Sequence, residues 1–444
     1  MKNLIIILSL LFINNVFSQN ITLQGNLENC NARNIYIKTF DQKIVGKDKI
    51  NNGKFSIKTE LNRGYYTLTI GNNSASIYLI TDDELTVSAD LKDFTNTLKF
   101  TGKGSERNNF LINKQRLNSK RKANIEEFYV ENESLYLRNV QNLMKDHRIN
   151  LSNGNFDEFF VKDESKNLDY SFLLSIFNFK HLQKFYFERE VTPSNMLLNM
   201  TRNIDFNDVD LYKKYPYYRY LAQSKWKKDI DNLDSYLEMN TTFYKIKSQS
   251  LQNDVFISFI YSISKNEEKS EIYYDLVKNN TSNPKVLDLA KKQFKAVSKT
   301  KTGSKSPSFE YKDINGKEVK LKDLKGKLVY IDVWATWCGP CLDQIPALKK
   351  LEHDYKNKDV VFVSISVDGK KDFDKWKSLV KLKELKGIQL FADNSFDSKF
   401  IKSYGISTIP TFILLDKKGR ILERRTSKPS TDNIRKKLDK YLKD

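Results

Sequence analysis

Between residues 20 and 104 short runs of alternating apolar and polar side chains recur: Ile21-Thr22-Leu23, Ile35-Tyr36-Ile37, Lys54-Phe55-Ser56-Ile57, Tyr65 to Ile70, Ser76 to Ile80 and Leu85-Thr86-Val87. Asn51-Asn52-Gly53, Asn62-Arg63-Gly64 and Gly71-Asn72-Asn73 punctuate them as turns. A period of two with turns at this spacing predicts a small all-β, sandwich-like domain. From 105 to 300 Gly and Pro thin out and the apolar period lengthens. Leu173, Ile176, Phe177 and His181 fall at helical spacing, as do Val286, Leu289, Ala290 and Phe294. Ser282-Asn283-Pro284 suits a helix start, because Pro is tolerated in the first turn. This stretch predicts an α-helical domain, with its aromatic clusters as core.

A polar linker over 299–306 precedes a third pattern over 303–444. Leu328 to Trp334 is an almost unbroken apolar run, the mark of a strand covered on both faces, and Val360 to Val367 is a second. Helical patterns occupy Leu342 to Tyr355, Asp372 to Leu385 and Thr431 to Leu442. Thr411 to Leu415 and Arg420 to Glu423 flank a turn at Asp416 to Gly419 and predict a hairpin. The order strand–helix–strand–helix–strand–strand–helix predicts an α/β sheet with an antiparallel edge.

Composition changes the picture at the N-terminus. Lys2, the apolar run Leu4 to Ile13 and the small residues around Val16-Phe17-Ser18 predict a signal peptide over 1–18, cut before Gln19. The run is about ten residues, against the ~20 that a membrane span needs. No cysteine stands at the cut, so no lipid anchor is expected there. Export is therefore expected, to the periplasm or in association with the cell envelope. The net charge is +20, and residues 303–444 hold 31 basic and 20 acidic residues, so the last domain is the most basic. That favours anionic surfaces or acidic partner proteins, with a solvated lysine-rich surface as the plainer account. No nucleic-acid motif accompanies the charge, and nucleic acid is not an expected partner.

Three cysteines occur in 444 residues. An exported disulfide scaffold would use many more. Two of them frame Cys338-Gly339-Pro340-Cys341, directly after Trp337, between an expected strand and an expected helix. A thiol at that junction meets unpaired backbone N–H groups, which favour the thiolate, and the thiolate is the species that attacks disulfides. The pair therefore points to redox chemistry. Cys30, in a polar turn, has no assigned role beyond that of a solitary thiol or an intermolecular disulfide. A zinc site would need further ligands. Cys30, His147, His181 and His353 are all remote in sequence, so no metal and no cofactor is called for.

Several separated motifs then agree in order: Ser306-Pro307-Ser308-Phe309, Leu324-Lys325-Gly326-Lys327, Val333-Trp334-Ala335-Thr336-Trp337, the Cys-Gly-Pro-Cys segment and Ile409-Pro410-Thr411. Together they resemble the thioredoxin superfamily, and more narrowly the exported TlpA/ResA-type thiol–disulfide oxidoreductases of bacteria, over about 307–442. Residues 20–104 are similar, less specifically, to the β domain that often precedes such modules. The resemblance implies that Cys338 is the nucleophile and Cys341 the resolving thiol. It makes Asp332, six positions before Cys338, a buried carboxylate that handles the second thiol's proton. Pro410 becomes a cis-proline facing the disulfide and Ile409 a backbone docking point for the partner. Trp337, Gly339 and Pro340 would form the surface the substrate meets. One departure stands out. Such proteins often carry Glu six residues after the first cysteine, and here that residue is Gln344, which cannot titrate; its neighbour Asp343 would point elsewhere on a helix.

The implied activity is reduction of disulfides in partner proteins, with the oxidised pair recharged by a membrane-bound electron donor. Gly339-Pro340 between the cysteines suggests the reducing end of the family's range. The competing reading is a partner-binding or adaptor protein whose redox domain oxidises or isomerises. No separate peroxidatic cysteine motif supports a peroxidase.

Overall fold

The computed structural model describes residues 20–443. The leader expected over 1–18 lies outside the described residues. The chain divides into two compact units, one built from residues up to Ser175 with Asp210–Arg219, the other from Ile176–Val209 and Tyr220 onward. The helical stretch expected as one domain over 105–300 is thus shared between the two units.

In the first unit eight strands form two four-stranded sheets. They are β1 (Asn20–Glu28), β2 (Asn34–Lys38), β3 (Ile44–Lys49), β4 (Lys54–Glu60), β5 (Gly64–Ile70), β6 (Asn73–Leu79), β7 (Glu84–Asp90) and β8 (Lys99–Lys103). The sheet orders are β4-β1-β7-β8 and β3-β2-β5-β6. Alternate residues of both sheets, such as Ile21 and Leu23 from β1 with Ile35 and Ile37 from β2, close one core. The strand β3 has no counterpart in the sequence expectation. Its sequence, Ile-Val-Gly-Lys-Asp-Lys, lacks the alternation that reveals a half-buried strand, as befits a sheet edge. Helices of this unit lie on the sandwich through buried polar clamps. Tyr78 donates from its hydroxyl to Asp163 at 2.7 Å, while Tyr65 and Lys114 both reach the fully buried Glu164.

The second unit carries a seven-stranded sheet. Its strands are β9 (Glu310–Asp313), β10 (Glu318–Lys320), β11 (Leu328–Trp334), β12 (Val360–Ser366), β13 (Ile388–Phe391), β14 (Thr411–Leu415) and β15 (Ile421–Glu423), in the order β10-β9-β13-β12-β11-β14-β15. The pairs β11–β12 and β12–β13 are parallel, and the outer pairs are antiparallel. All seven residues of β11 are buried, as a central strand covered on both faces requires. Val329, Ile331 and Val333 enter one apolar cluster, and Leu328 and Tyr330 enter the other. The strand β13 is absent from the sequence expectation; four residues after Gly387 are too few to show a period.

The helix expected over Leu342 to Tyr355 is interrupted. Its ladder runs over Gly339–Leu342 and again over Ile345–Asp354. Asp343 and Gln344 keep right-handed helical backbone, but Pro346 has no N–H to give to the carbonyl of Leu342.

Helices Gln249–Lys265, Ser270–Asn280 and Pro284–Lys299 also belong to this unit. The last starts as the sequence predicts: Asn283 caps it by accepting the N–H of Lys285, with Pro284 in the first turn. Arg424, just after β15, joins these helices to the sheet. Its buried guanidinium donates to Thr300 Oγ1 at 2.9 Å and to the carbonyls of Ser264 and Tyr404.

Candidate active site

The chain leaves β11 at Trp334 and turns through Ala335-Thr336-Trp337 into Cys338. Asp368, fully buried just beyond β12, fixes that turn. It accepts the backbone N–H of Thr336 at 2.9 Å and its hydroxyl at 2.8 Å, and Ser366 donates to it at 2.7 Å. Sequence reasoning passed over Asp368; an acidic residue directly after an apolar strand was the available signal.

Cys338 caps the turn Gly339–Leu342, and its Sγ accepts the backbone N–H of Cys341 at 3.2 Å. This N–H, at the N-terminus of backbone that stays helical through Asp343 and Gln344, favours negative charge on that sulfur. Cys338 and Cys341 are joined by a disulfide with Cα atoms 5.2 Å apart. Both are buried, at 5% and 4% exposure, while Trp337 beside them is 56% exposed and Gly339 and Pro340 face solvent. The Trp337 ring lies 6.4 Å from that of Phe396, a neighbour the sequence did not reveal.

Asp332 sits on β11 with Tyr330, on the face toward the helix Ile345–Asp354. It is 9% exposed, and burial pushes its carboxyl up to about 8, with repulsion from Glu352 adding to the shift. Burial also lifts Glu352 to about 7, against the pull of Lys349 and Lys386. Two raised carboxyls therefore lie on the same side of the sheet, and Glu352 is the one the sequence did not flag. A carboxyl with a value near 8 is about one-tenth ionised at neutral pH, and so can both hold and accept a proton there.

The peptide bond Ile409–Pro410 is cis. Since Thr411 of β14 pairs with Val333 of β11, Pro410 falls at the end of the sheet from which the chain runs into Cys338. Ile409 packs on the apolar cluster that contains both cysteines. Gln344 Oε1 accepts the N–H of Ser430 at 3.2 Å, so the amide that stands where Glu was expected ties down the loop before the last helix. Asp343 is exposed, and partial burial raises its carboxyl. Cys30, half-buried with a free thiol, belongs to the other unit.

Residues 301–442 match the Redoxin family model. The thiol-disulfide oxidoreductase ResA of Bacillus cereus is 33% identical over 150 residues, which span 34% of this chain and 82% of that protein. The chain belongs to the TlpA/ResA-type thiol–disulfide oxidoreductases of the thioredoxin superfamily. The thioredoxin-like protein YneN of Bacillus subtilis is similar at 32% identity over 146 residues, or 31% of this chain and 78% of that one. Among solved structures, a thiol-disulfide oxidoreductase from Bacteroides fragilis is 28% identical, covering 31% of this chain and 98% of its own, with a TM-score of 0.28. The family model covers the α/β part alone; the sandwich and the helices before residue 301 lie outside the residues it matches.

Proposed function

We propose that the chain is an exported reductase of partner-protein disulfides, with Cys338 as nucleophile and Cys341 as resolving thiol. The observation that carries this reading is the Cys338–Cys341 pair at the end of β11, with a backbone N–H on the first sulfur and the raised Asp332 carboxyl on the same strand.

The Cys338 thiolate attacks one sulfur of the partner disulfide, and the other sulfur leaves as a thiolate that takes a proton from solvent. Cys341 loses its proton to the ionised form of Asp332 and attacks Cys338 Sγ, breaking the mixed disulfide; the second partner sulfur leaves as a thiolate and is protonated as Asp332 gives up its proton again. The partner departs as a dithiol carrying two electrons, and the chain is left with the Cys338–Cys341 bond. Trp337, Gly339 and Pro340 form the rim the partner meets, and the Ile409 backbone beside Pro410 offers an edge for an extended segment. The Cys-Gly-Pro-Cys sequence supports the reducing direction, and the N-terminal leader pattern supports export to the periplasm or cell envelope. A reductant in an oxidising compartment needs recharging, which calls for a membrane-bound electron donor.

Trapping tests the assignment. The Cys341→Ser chain, reduced and mixed with a disulfide-bearing protein such as insulin, will accumulate a mixed disulfide through Cys338, and Cys338→Ser will form none. Equal adducts from both variants, or none from either, would remove the assigned roles.

A further inference from the structure

A groove of about 880 Å³ runs between the helix Pro284–Lys299 and the segment 393–406, within the second unit. The helix presents Leu289, Lys292, Lys295 and Lys299 to it, spaced by three, three and four residues and so on one face. The opposite wall includes Phe396, Lys399 and Lys402, together with Asp393 and Asp397. Five lysines against two aspartates leave the lining at net +3.

Two of those lysines are engaged, Lys292 with Asp288 at 2.6 Å and Lys402 with Asp397 at 2.8 Å. Among the described residues Lys295, Lys299 and Lys399 make no ion pair. The helix is held in place against the opposite wall. Gly405 has φ +62, and a Cβ there would come within 3.0 Å of the Ala296 Cβ and 2.7 Å of Gln293 Oε1. Arg424 ties Thr300, at the end of the same helix, to the carbonyl of Tyr404. Phe396 links the groove to the surface beside the redox pair: it lines the groove, and its ring stands 6.4 Å from that of Trp337, the residue before Cys338.

We infer that this groove takes an acidic, extended segment next to the disulfide of the partner protein, and so selects substrates by charge. From Leu289 to Lys299 the helix runs ~15 Å, the length of about five extended residues. Phe396 and Leu289 supply apolar floor, and the three unpaired lysines supply the charge that an Asp- or Glu-rich flank would meet. The inference rests on the reductase reading above: the groove selects, and the Cys338/Cys341 pair passes two electrons to the bound disulfide, one proton coming from Cys341 and one from solvent.

The test uses the full chain, reduced beforehand, in single turnover against three disulfide peptides that differ only in a five-residue flank: acidic, neutral or basic. Exposed charge pairs contribute a factor of about two to five each, so the acidic peptide is expected to react about tenfold faster than the neutral one at low salt. Near 0.5 M salt the preference will shrink to about twofold, because screening then acts within a few ångströms. The chain with Lys295→Glu, Lys299→Glu and Lys399→Glu together is expected to favour the basic peptide. Equal rates for the three peptides with the natural chain, or an acidic preference that survives the triple substitution, would overturn the inference. Bis(hydroxyethyl) disulfide, small and uncharged, separates the two levels. If the natural chain reduces it while the peptides react alike, only the groove assignment falls. If it is not reduced, the reductase reading falls and the inference with it.

Discussion

Replacing Asp332 by Asn will raise the relative stability of the second unit as pH rises, and will stabilise it at neutral pH. The carboxyl stands at about 8 in the folded chain because burial disfavours its charge, against about 3.9 when exposed. Between those two values the folded state holds a proton that the unfolded state has released. Unfolding is then favoured more strongly as pH rises, by up to ~1.4 kcal/mol per pH unit, and the penalty levels off above about 8. By neutral pH it reaches about 4 kcal/mol. The Asp332→Asn substitution removes this term and adds a cost of ~1–3 kcal/mol for burying the new amide, which does not depend on pH. The slope of the difference is therefore the diagnostic. Glu352, lifted to about 7, titrates in the same window but is present in both chains and cancels to first order. All four tryptophans, at 226, 334, 337 and 376, lie in the second unit, so denaturant unfolding followed by tryptophan fluorescence reports on it. The stability of the Asp332→Asn chain relative to the natural one should rise steadily from about pH 4 to pH 8, from a deficit in acid to a gain at neutral pH. A relative stability that is constant, or that falls as pH rises, would mean that Asp332 keeps an ordinary carboxylate pKa in the fold, too weak a base to take the Cys341 proton effectively.

Other residues give further expectations. Arg424→Ala removes the donor to Thr300 and Tyr404 and leaves the Ser264 carbonyl only Arg425 Nε at 3.3 Å, and will destabilise the second unit by about 2–4 kcal/mol in the same fluorescence assay; a loss below about 1 kcal/mol would contradict its role as the joint between helices and sheet. Gln344→Glu keeps an acceptor for the Ser430 N–H but adds a titrating group near the cysteine turn, so the pH profile of thiol exchange will gain a step between acid and neutral pH; an unchanged profile would show that position 344 does not reach the chemistry. Asp332→Asn will also slow release of the mixed disulfide by ~10²-fold near neutral pH without preventing its formation, which quenched-flow mass analysis can separate.

Much of the redox site was legible because its parts are local in sequence. The apolar strand Leu328–Trp334, the cysteine spacing and Ile409-Pro410-Thr411 each carry their own pattern, and the resemblance joined them. Asp332 was singled out through the resemblance, six positions before Cys338. What escaped has meaning only through contacts distant along the chain. Glu352 is one more polar residue on an amphipathic helix until the fold sets it near Asp332. Phe396 becomes part of the site only by meeting Trp337, and Arg424 looks like any surface arginine until Thr300, 124 residues away, is in place. The break at residues 343–344 was visible in principle, since Pro346 removes one helical donor. The strands β3 and β13 are a polar edge and a four-residue run, and neither holds enough apolar alternation to announce itself.

The reduction potential of the Cys338/Cys341 pair, measured by equilibrating the full chain in dithiothreitol or glutathione buffers and counting thiols by mass tagging, tests the central claim most directly. A reductant of partner disulfides predicts a value near or below about −250 mV. A value of about −120 to −180 mV would contradict it and make the chain an oxidase or isomerase.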